Sequence, residues 1–174
     1  FAAIIDSFRP LIFDNKKNDP VQYEKNMTSL YSVIIYLSLL QCVAMTAFAG
    51  LIIKILYGEA YAQSAVALRI IVWYTTFSYL GAVRNIWLLA EEKQKYLLWI
   101  NLLGAVANIG LNFALIPVMG INGAALASLI TQFFTNVIIG FILKPIRRSN
   151  YLMIKALNPK GVIKSLKFAL KKDK

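Results

Sequence analysis

Long apolar stretches alternate with short polar ones along this chain. No charged residue lies between Lys25 and Lys54 or between Lys95 and Lys144, and between Glu59 and Glu91 only Arg69 and Arg84 interrupt. A helix needs roughly 20 mostly apolar residues to cross about 30 Å of hydrocarbon, and each of these intervals is longer than that. The pattern predicts four spans, at about residues 27–53, 61–90, 96–116 and 122–143. The third and fourth meet at PVMGING. There Pro117 cannot continue a helix, and Gly120 and Gly123 allow a tight reversal. These two spans therefore form an antiparallel helical hairpin. The predicted fold is all-α: a polytopic membrane helix bundle with four full transmembrane helices, the end of a fifth at residues 1–13, and a C-terminal amphipathic helix. The membrane bundle covers residues 14–143 and a basic tail covers 144–174.

Composition points the same way. The 174 residues are 59% hydrophobic and only 16% charged, against roughly 25% charged in soluble domains. Mean hydropathy is +0.61. A water-soluble protein of this size has too little polar surface to cover four such helices.

Charge gives an orientation. Basic residues in short connections mark the cytoplasmic side. The connection DNKKNDPVQYEKN carries Lys16, Lys17 and Lys25, and EEKQK carries Lys93 and Lys95. YGEA has Glu59 at its centre and PVMGI has no charge. Basic and non-basic connections alternate, as four antiparallel spans require. Lys54 alone dissents, and it can snorkel outward from its helix end. After Leu143 come ten basic residues and one acidic residue, Asp173. The C-terminus is therefore expected in the cytoplasm. The net charge of +11 reflects this asymmetry, and no nucleic-acid partner is expected from it. In KGVIKSLKFALKK, Lys160, Lys164, Lys167 and Lys171 share one helical face, and Val162, Ile163, Leu166, Ala169 and Leu170 share the opposite one. Such a helix lies on anionic lipid; a solvated tail is the alternative.

Several chemistries lack their residues. There is no histidine, hence no His-based acid–base pair, triad or zinc site. The single cysteine, Cys42, falls inside a span, where it acts as a small apolar filler. No Walker-type GxxxxGK[ST] is present. Glu91 and Glu92 are adjacent, about 100° apart on a helix, and do not converge on a metal. The chain is expected to be no enzyme, with no catalytic residue, no metal and no cofactor. It opens FAAIIDSFRPLIF, with no initiating methionine and no signal peptide, and is expected to be part of a longer protein.

YGEAYAQSAVALRIIVWYTTFSYLG, LLAEEKQKYL and LLGAVANIGLNFALIPVMGINGAALASLI together resemble the C-terminal half of bacterial polysaccharide flippases. These are the O-antigen and capsule repeat-unit exporters of the multidrug/oligosaccharidyl-lipid/polysaccharide superfamily. The likeness runs from FRPLIFD to KPIRRSN, and is most specific at the third-span asparagines followed by IPVMGINGAALAS. It implies two related bundles of six spans around a central cavity. It also implies export of an undecaprenyl-pyrophosphate-linked oligosaccharide across the bacterial inner membrane. The expected partners are then the lipid-linked oligosaccharide, membrane lipids, and a missing N-terminal bundle of the same protein. A drug or peptidoglycan-precursor exporter would share the fold. A membrane glycosyl or phosphosugar transferase would need convergent acidic ligands. A purely structural subunit would be indifferent to loss of its arginines.

The polar residues within the spans are the candidate site. Asn101, Asn108 and Asn112 fall within about 40° of one another on a helix, with Gly104 close to the same face. Unpaired polar groups in hydrocarbon cost several kcal/mol each, so the row faces protein or a wet cavity. It either bonds across helices or lines a hydrated path for sugar hydroxyls. Ser128, Gln132, Thr135 and Asn136 share an arc of about 100° on the fourth span, with Gln132 the better cavity candidate. Arg69 and Arg84 lie fifteen residues apart, about 22 Å along the helix, and only about 60° apart around it. Trp73, Thr76, Leu80 and Trp87 share their face. The two arginines are either interfacial anchors within tryptophan belts or substrate groups. In the second reading Arg84 takes a lipid pyrophosphate at the cytoplasmic side, Arg69 lies toward the exit, and the aromatic neighbours, Trp73 among them, stack on sugar rings. The expected substrate-binding set is Arg84, Arg69, Trp73, Asn101, Asn108, Asn112 and Gln132.

Overall fold

The computed structural model describes residues 1–158; the amphipathic stretch expected at Lys160–Lys171 lies outside the described residues. Among those described there is no strand. Six helices follow in order: α1 Ala2–Asn18, α2 Pro20–Tyr57, α3 Ser64–Ala90, α4 Lys95–Met119, α5 Ile121–Ile142 and α6 Arg147–Ala156. Helices α2 to α5 are long and apolar enough to cross a membrane. Only 17% of the most apolar stretch of α2 and 6% of that of α4 is buried inside the protein. Leu98, Leu102, Val106, Ile109 and Phe113 stand exposed on α4. In water such a surface would drive association; in hydrocarbon it meets its own kind. The chain is an all-α membrane protein.

Helix α3 is the central element, packed on α2 on one side and α5 on another, while α4 leans mainly on α5. The α4–α5 hairpin is tight, as PVMGING predicts. Gly120 turns it with φ +55°, a conformation that L side chains rarely adopt. Pro117 does not stop α4, which continues to Met119. Proline near the end of a helix forfeits one backbone bond in a turn that is closing anyway, which costs less than in the interior.

Two segments are more ordered than the hydropathy pattern suggests. Residues 14–26, expected as a connection, are almost wholly helical, and α1 and α2 are separated by Asp19 alone. The Asp19 backbone is extended, and its carboxylate accepts hydrogen bonds from Val21 N at 3.1 Å and Gln22 N at 3.0 Å. Pro20 then takes the first helical position, where a missing N–H costs nothing. With 38 residues, α2 is about 57 Å long, nearly twice the hydrocarbon thickness. The first part of the expected tail is likewise packed. After Leu143 the chain reverses through Lys144–Ile146, and α6 settles against α2. Tyr31 and Ser149 share a hydrogen bond of 2.7 Å, Ser32 donates to Ala156 O at 2.9 Å, and Tyr36 donates to Leu157 O at 2.8 Å. Arg148 pairs with Glu24, and the bonded carboxylate raises the guanidinium pKa above its ordinary value.

These segments build a hydrophobic core together with α3: Ile12 of α1, Met27 and Leu30 of α2, Val83 and Trp87 of α3, Leu152 of α6. Charged residues gather at the neighbouring helix ends. Lys16 pairs with Glu91, the Tyr23 hydroxyl donates to Glu91 at 3.0 Å, and Lys93 donates to Pro145 O at 3.1 Å. The α1–α2 joint, the α3–α4 turn and the α5–α6 turn therefore meet at one end of the bundle. This is the arrangement that alternating basic and non-basic connections require. Lys54 pairs with Glu59, so its charge is offset within its own connection.

The α3–α4 turn closes through Glu92 at φ +55°. Lys93 N bonds Leu88 O at 2.8 Å and Glu92 N bonds Leu89 O at 3.1 Å, a paired closure that normally uses glycine at this position. Glu92→Val is expected to destabilise the protein by about 1–2 kcal/mol, because a β-branched side chain resists left-handed backbone. Glu92→Gly is expected to be neutral or stabilising. Thermal unfolding in detergent measures both, and equal midpoints for the two variants would contradict the assignment.

Candidate functional site

The polar arcs of α4 and α5 meet. They border a half-open pocket of about 280 Å³, near the lower end of the roughly 300–1,000 Å³ of small-molecule sites. Helix α4 supplies Ile100, Asn101, Gly104, Ala105 and Asn108; α5 supplies Ser128, Thr131, Gln132, Thr135 and Asn136; α3 supplies Tyr74. Among the described residues no charged side chain lines it. Beside Ile100, Gly104 and Ala105, its walls are carboxamides, hydroxyls and one phenol, a neutral donor–acceptor surface inside otherwise apolar helices. Among the described residues no three His, Cys, Asp or Glu side chains gather to hold a metal ion.

The asparagine row forms hydrogen bonds within the bundle and also borders the pocket. Asn108 Nδ2 donates across to Thr131 Oγ1 of α5 at 3.2 Å, and Asn112 Nδ2 donates along α4 to Asn108 Oδ1 at 2.9 Å. The Thr131 hydroxyl proton goes to Ala127 O at 2.8 Å, which leaves its oxygen free to accept from Asn108. The row also lines the pocket through Asn101 and Asn108, while Asn112 buttresses Asn108 from the next turn. Gln132, expected as the cavity residue of the fourth span, is in the lining.

Arg84 stands elsewhere. It is only 3% exposed and lies outside the pocket lining. Its guanidinium crosses from α3 to α5, where Nη1 donates to Thr135 O and Nη2 to Asn136 Oδ1, the latter at 2.8 Å. Neither expectation for this residue matches that geometry. A lipid-interface anchor would be turned outward, and a direct phosphate ligand would face open space. Trp87 is also enclosed, at 1% exposure, with Lys93 Nζ 4.7 Å from the centre of its ring. Arg69 is exposed and Trp73 half-buried; neither lines the pocket. The expected set thus divides: Asn101, Asn108 and Gln132 converge, Asn112 and Arg84 support, and Arg69 and Trp73 lie apart.

A local change in α5 receives the guanidinium. Residues Phe134–Ile138 form a π-turn, and Ile139 N bonds Phe134 O, five residues back. In a regular α-helix Ile139 N would take Thr135 O. That carbonyl accepts from Arg84 instead, and Val137 O accepts from Asn150 Nδ2 of α6 at 2.7 Å. Two side chains from two other helices are thus seated on one widened turn, a feature that recurs at functional sites. The sequence offers no sign of the π-turn. The arc of Ser128, Gln132, Thr135 and Asn136 was the available signal for the pocket wall; Tyr74 carried none.

Comparisons with family models, curated proteins and solved structures gave no match for this chain.

Gly81 of α3 lies against the Asn136 carboxamide so closely that a methyl group there would overlap it. Gly81→Ala is expected to destabilise the bundle by about 1–3 kcal/mol, the ordinary cost of overpacking, by pushing Asn136 off Arg84. A thermal midpoint in detergent equal to that of the unaltered protein would show that the contact does not hold α3 and α5 together.

Proposed function

We propose that this chain is the C-terminal half of a bacterial polysaccharide flippase of the multidrug/oligosaccharidyl-lipid/polysaccharide superfamily. Its task is to carry an undecaprenyl-pyrophosphate-linked oligosaccharide across the inner membrane for surface-polysaccharide synthesis. The observation that carries this reading is the neutral, amide-rich pocket between α3, α4 and α5. A head group leaving water must exchange its hydration for fixed donors and acceptors, and sugar hydroxyls need both. Asn101, Asn108, Gln132 and the three hydroxyl residues of α5 provide both. Tyr74 adds a ring face of the kind on which sugar rings stack. A drug exporter has less use for so polar a lining.

The energetics favour a passive route through the protein. The polyprenyl tail stays in lipid, whose match to the exposed face of α4 is already made. Only the head group is transferred, and the pocket lowers the cost of that transfer. Rocking of this bundle against a second one opens the site to each side in turn. The basic end of the bundle, with Lys16, Lys17, Lys25, Lys93, Lys95 and Lys144, faces the cytoplasm under the positive-inside rule. On this reading the C-terminus belongs to the cytoplasmic side, with the basic tail drawn to anionic lipid.

Surface-polysaccharide display by the complete protein tests this reading. Gln132→Leu and Asn108→Leu remove donors and acceptors from the pocket, and each is expected to reduce display at least tenfold with membrane levels unchanged. Arg69→Ala, away from the pocket, is expected to change display less than twofold. Full display by both pocket variants would overturn the assignment.

A further inference from the structure

The hydrogen bonds around Gln132 have a direction, and that direction has a consequence for what the pocket selects. Arginine carries only donors. The Asn136 atom that meets Arg84 must therefore be its carbonyl oxygen, 2.8 Å from Nη2. This turns the Asn136 amide nitrogen the other way, toward Gln132, where it donates to Oε1. That bond holds the Gln132 carbonyl toward Asn136, so Nε2 is the end of its amide left uncommitted, in a residue that lines the pocket. The orientation is inherited along the chain from a residue that cannot reverse it. Gly81 leaves room for this carboxamide, and the π-turn brings Thr135 O to the second arm of the guanidinium. The positive charge at the start of the relay is not cancelled locally. None of the ion pairs among the described residues includes Arg84, and no carboxylate lines the pocket.

The geometry points to Gln132 as a specificity-determining residue that selects ligands by donating, with Arg84 and Asn136 as the positioning residues that aim it. The ligand group it takes is an acceptor oxygen on a sugar-sized molecule, an acyl carbonyl or a carboxylate. An ammonium, which can only donate, is refused at the same spot. This rests on the reading of the pocket as a sugar site and adds its chemical polarity. An unoriented glutamine would offer either end of its amide and discriminate poorly; here one end is committed.

The test is the binding of three monosaccharide probes to the full chain in detergent, followed by saturation-transfer NMR. N-acetylglucosamine presents an acyl carbonyl, glucuronate a carboxylate, and glucosamine an ammonium. The unaltered protein is expected to bind the first two at least tenfold more tightly than the third. Asn136→Asp is the decisive variant. Its carboxylate accepts from Arg84 and can only accept from Gln132, so Gln132 turns over and presents its carbonyl. The preference is then expected to invert toward glucosamine, although no atom of Gln132 has been changed. Arg84→Lys keeps a donor and is expected to keep the preference; Arg84→Met is expected to abolish it. Far-ultraviolet circular dichroism shows whether each variant retains its helices, and a variant that unfolds is replaced by Gln132→Glu, for which inversion is also expected. Equal binding of the three probes by the unaltered protein, or an unchanged order in Asn136→Asp, would overturn the relay and leave the sugar site standing. Failure of all three probes to bind would overturn the relay and the sugar site together.

Discussion

A guanidinium enclosed among membrane helices has to find acceptors, because neither lipid nor apolar side chains supply any. Arg84 finds them on α5, at a backbone carbonyl and a carboxamide. Much of the middle of the bundle follows from that constraint. A regular helix would have its carbonyls engaged, so α5 widens into a π-turn and releases Thr135 O. A larger residue than glycine at position 81 would keep Asn136 from its place. The pocket wall that includes Thr135 and Asn136 is shaped by an interaction taking place behind it.

The second constraint acts at the helix ends. Association of helices in lipid gains little from the hydrophobic effect, since acyl chains are as apolar as leucine. Helices there are held by close packing and by hydrogen bonds between them. This chain concentrates its buried core where α1, α6 and the long start of α2 meet α3. Several of its inter-element polar bonds lie nearby: Lys16 with Glu91, Tyr31 with Ser149, Arg148 with Glu24. The opposite half is looser, with α4 resting on α5 and presenting most of its surface outward.

The polar row of α4 both holds helices together and borders the pocket. Asn108 ties α4 to α5 through Thr131 and, with Asn101, faces the pocket. Structural bonding and ligand binding are not exclusive for a carboxamide, which has two donors and a two-lone-pair acceptor. One part can be spent on a neighbouring helix while the rest stays available. Gln132 shows the same economy, its carbonyl engaged by Asn136 and its amide nitrogen left over.

The sequence by itself determined the class of protein, the four spans, the antiparallel hairpin at Gly120 and the amide row of α4. These follow from local properties: the length of apolar runs, the angular period of the helix, and the backbone freedom of glycine. It also determined the charge alternation that brings three connections to one end. Only the tertiary structure decided what Arg84 does, because an arginine can snorkel, clamp or cross to another helix, and the choice depends on which acceptors a neighbour exposes. The π-turn was likewise invisible, since it answers to side chains from α3 and α6 that lie far away in sequence. That residues 14–26 and 147–156, a connection and the start of a tail in the sequence, are helical and packed was not legible for a related reason. Their apolar residues are few and scattered among lysines and arginines, and they become a packed face only when α2 runs on beyond the hydrocarbon to meet them.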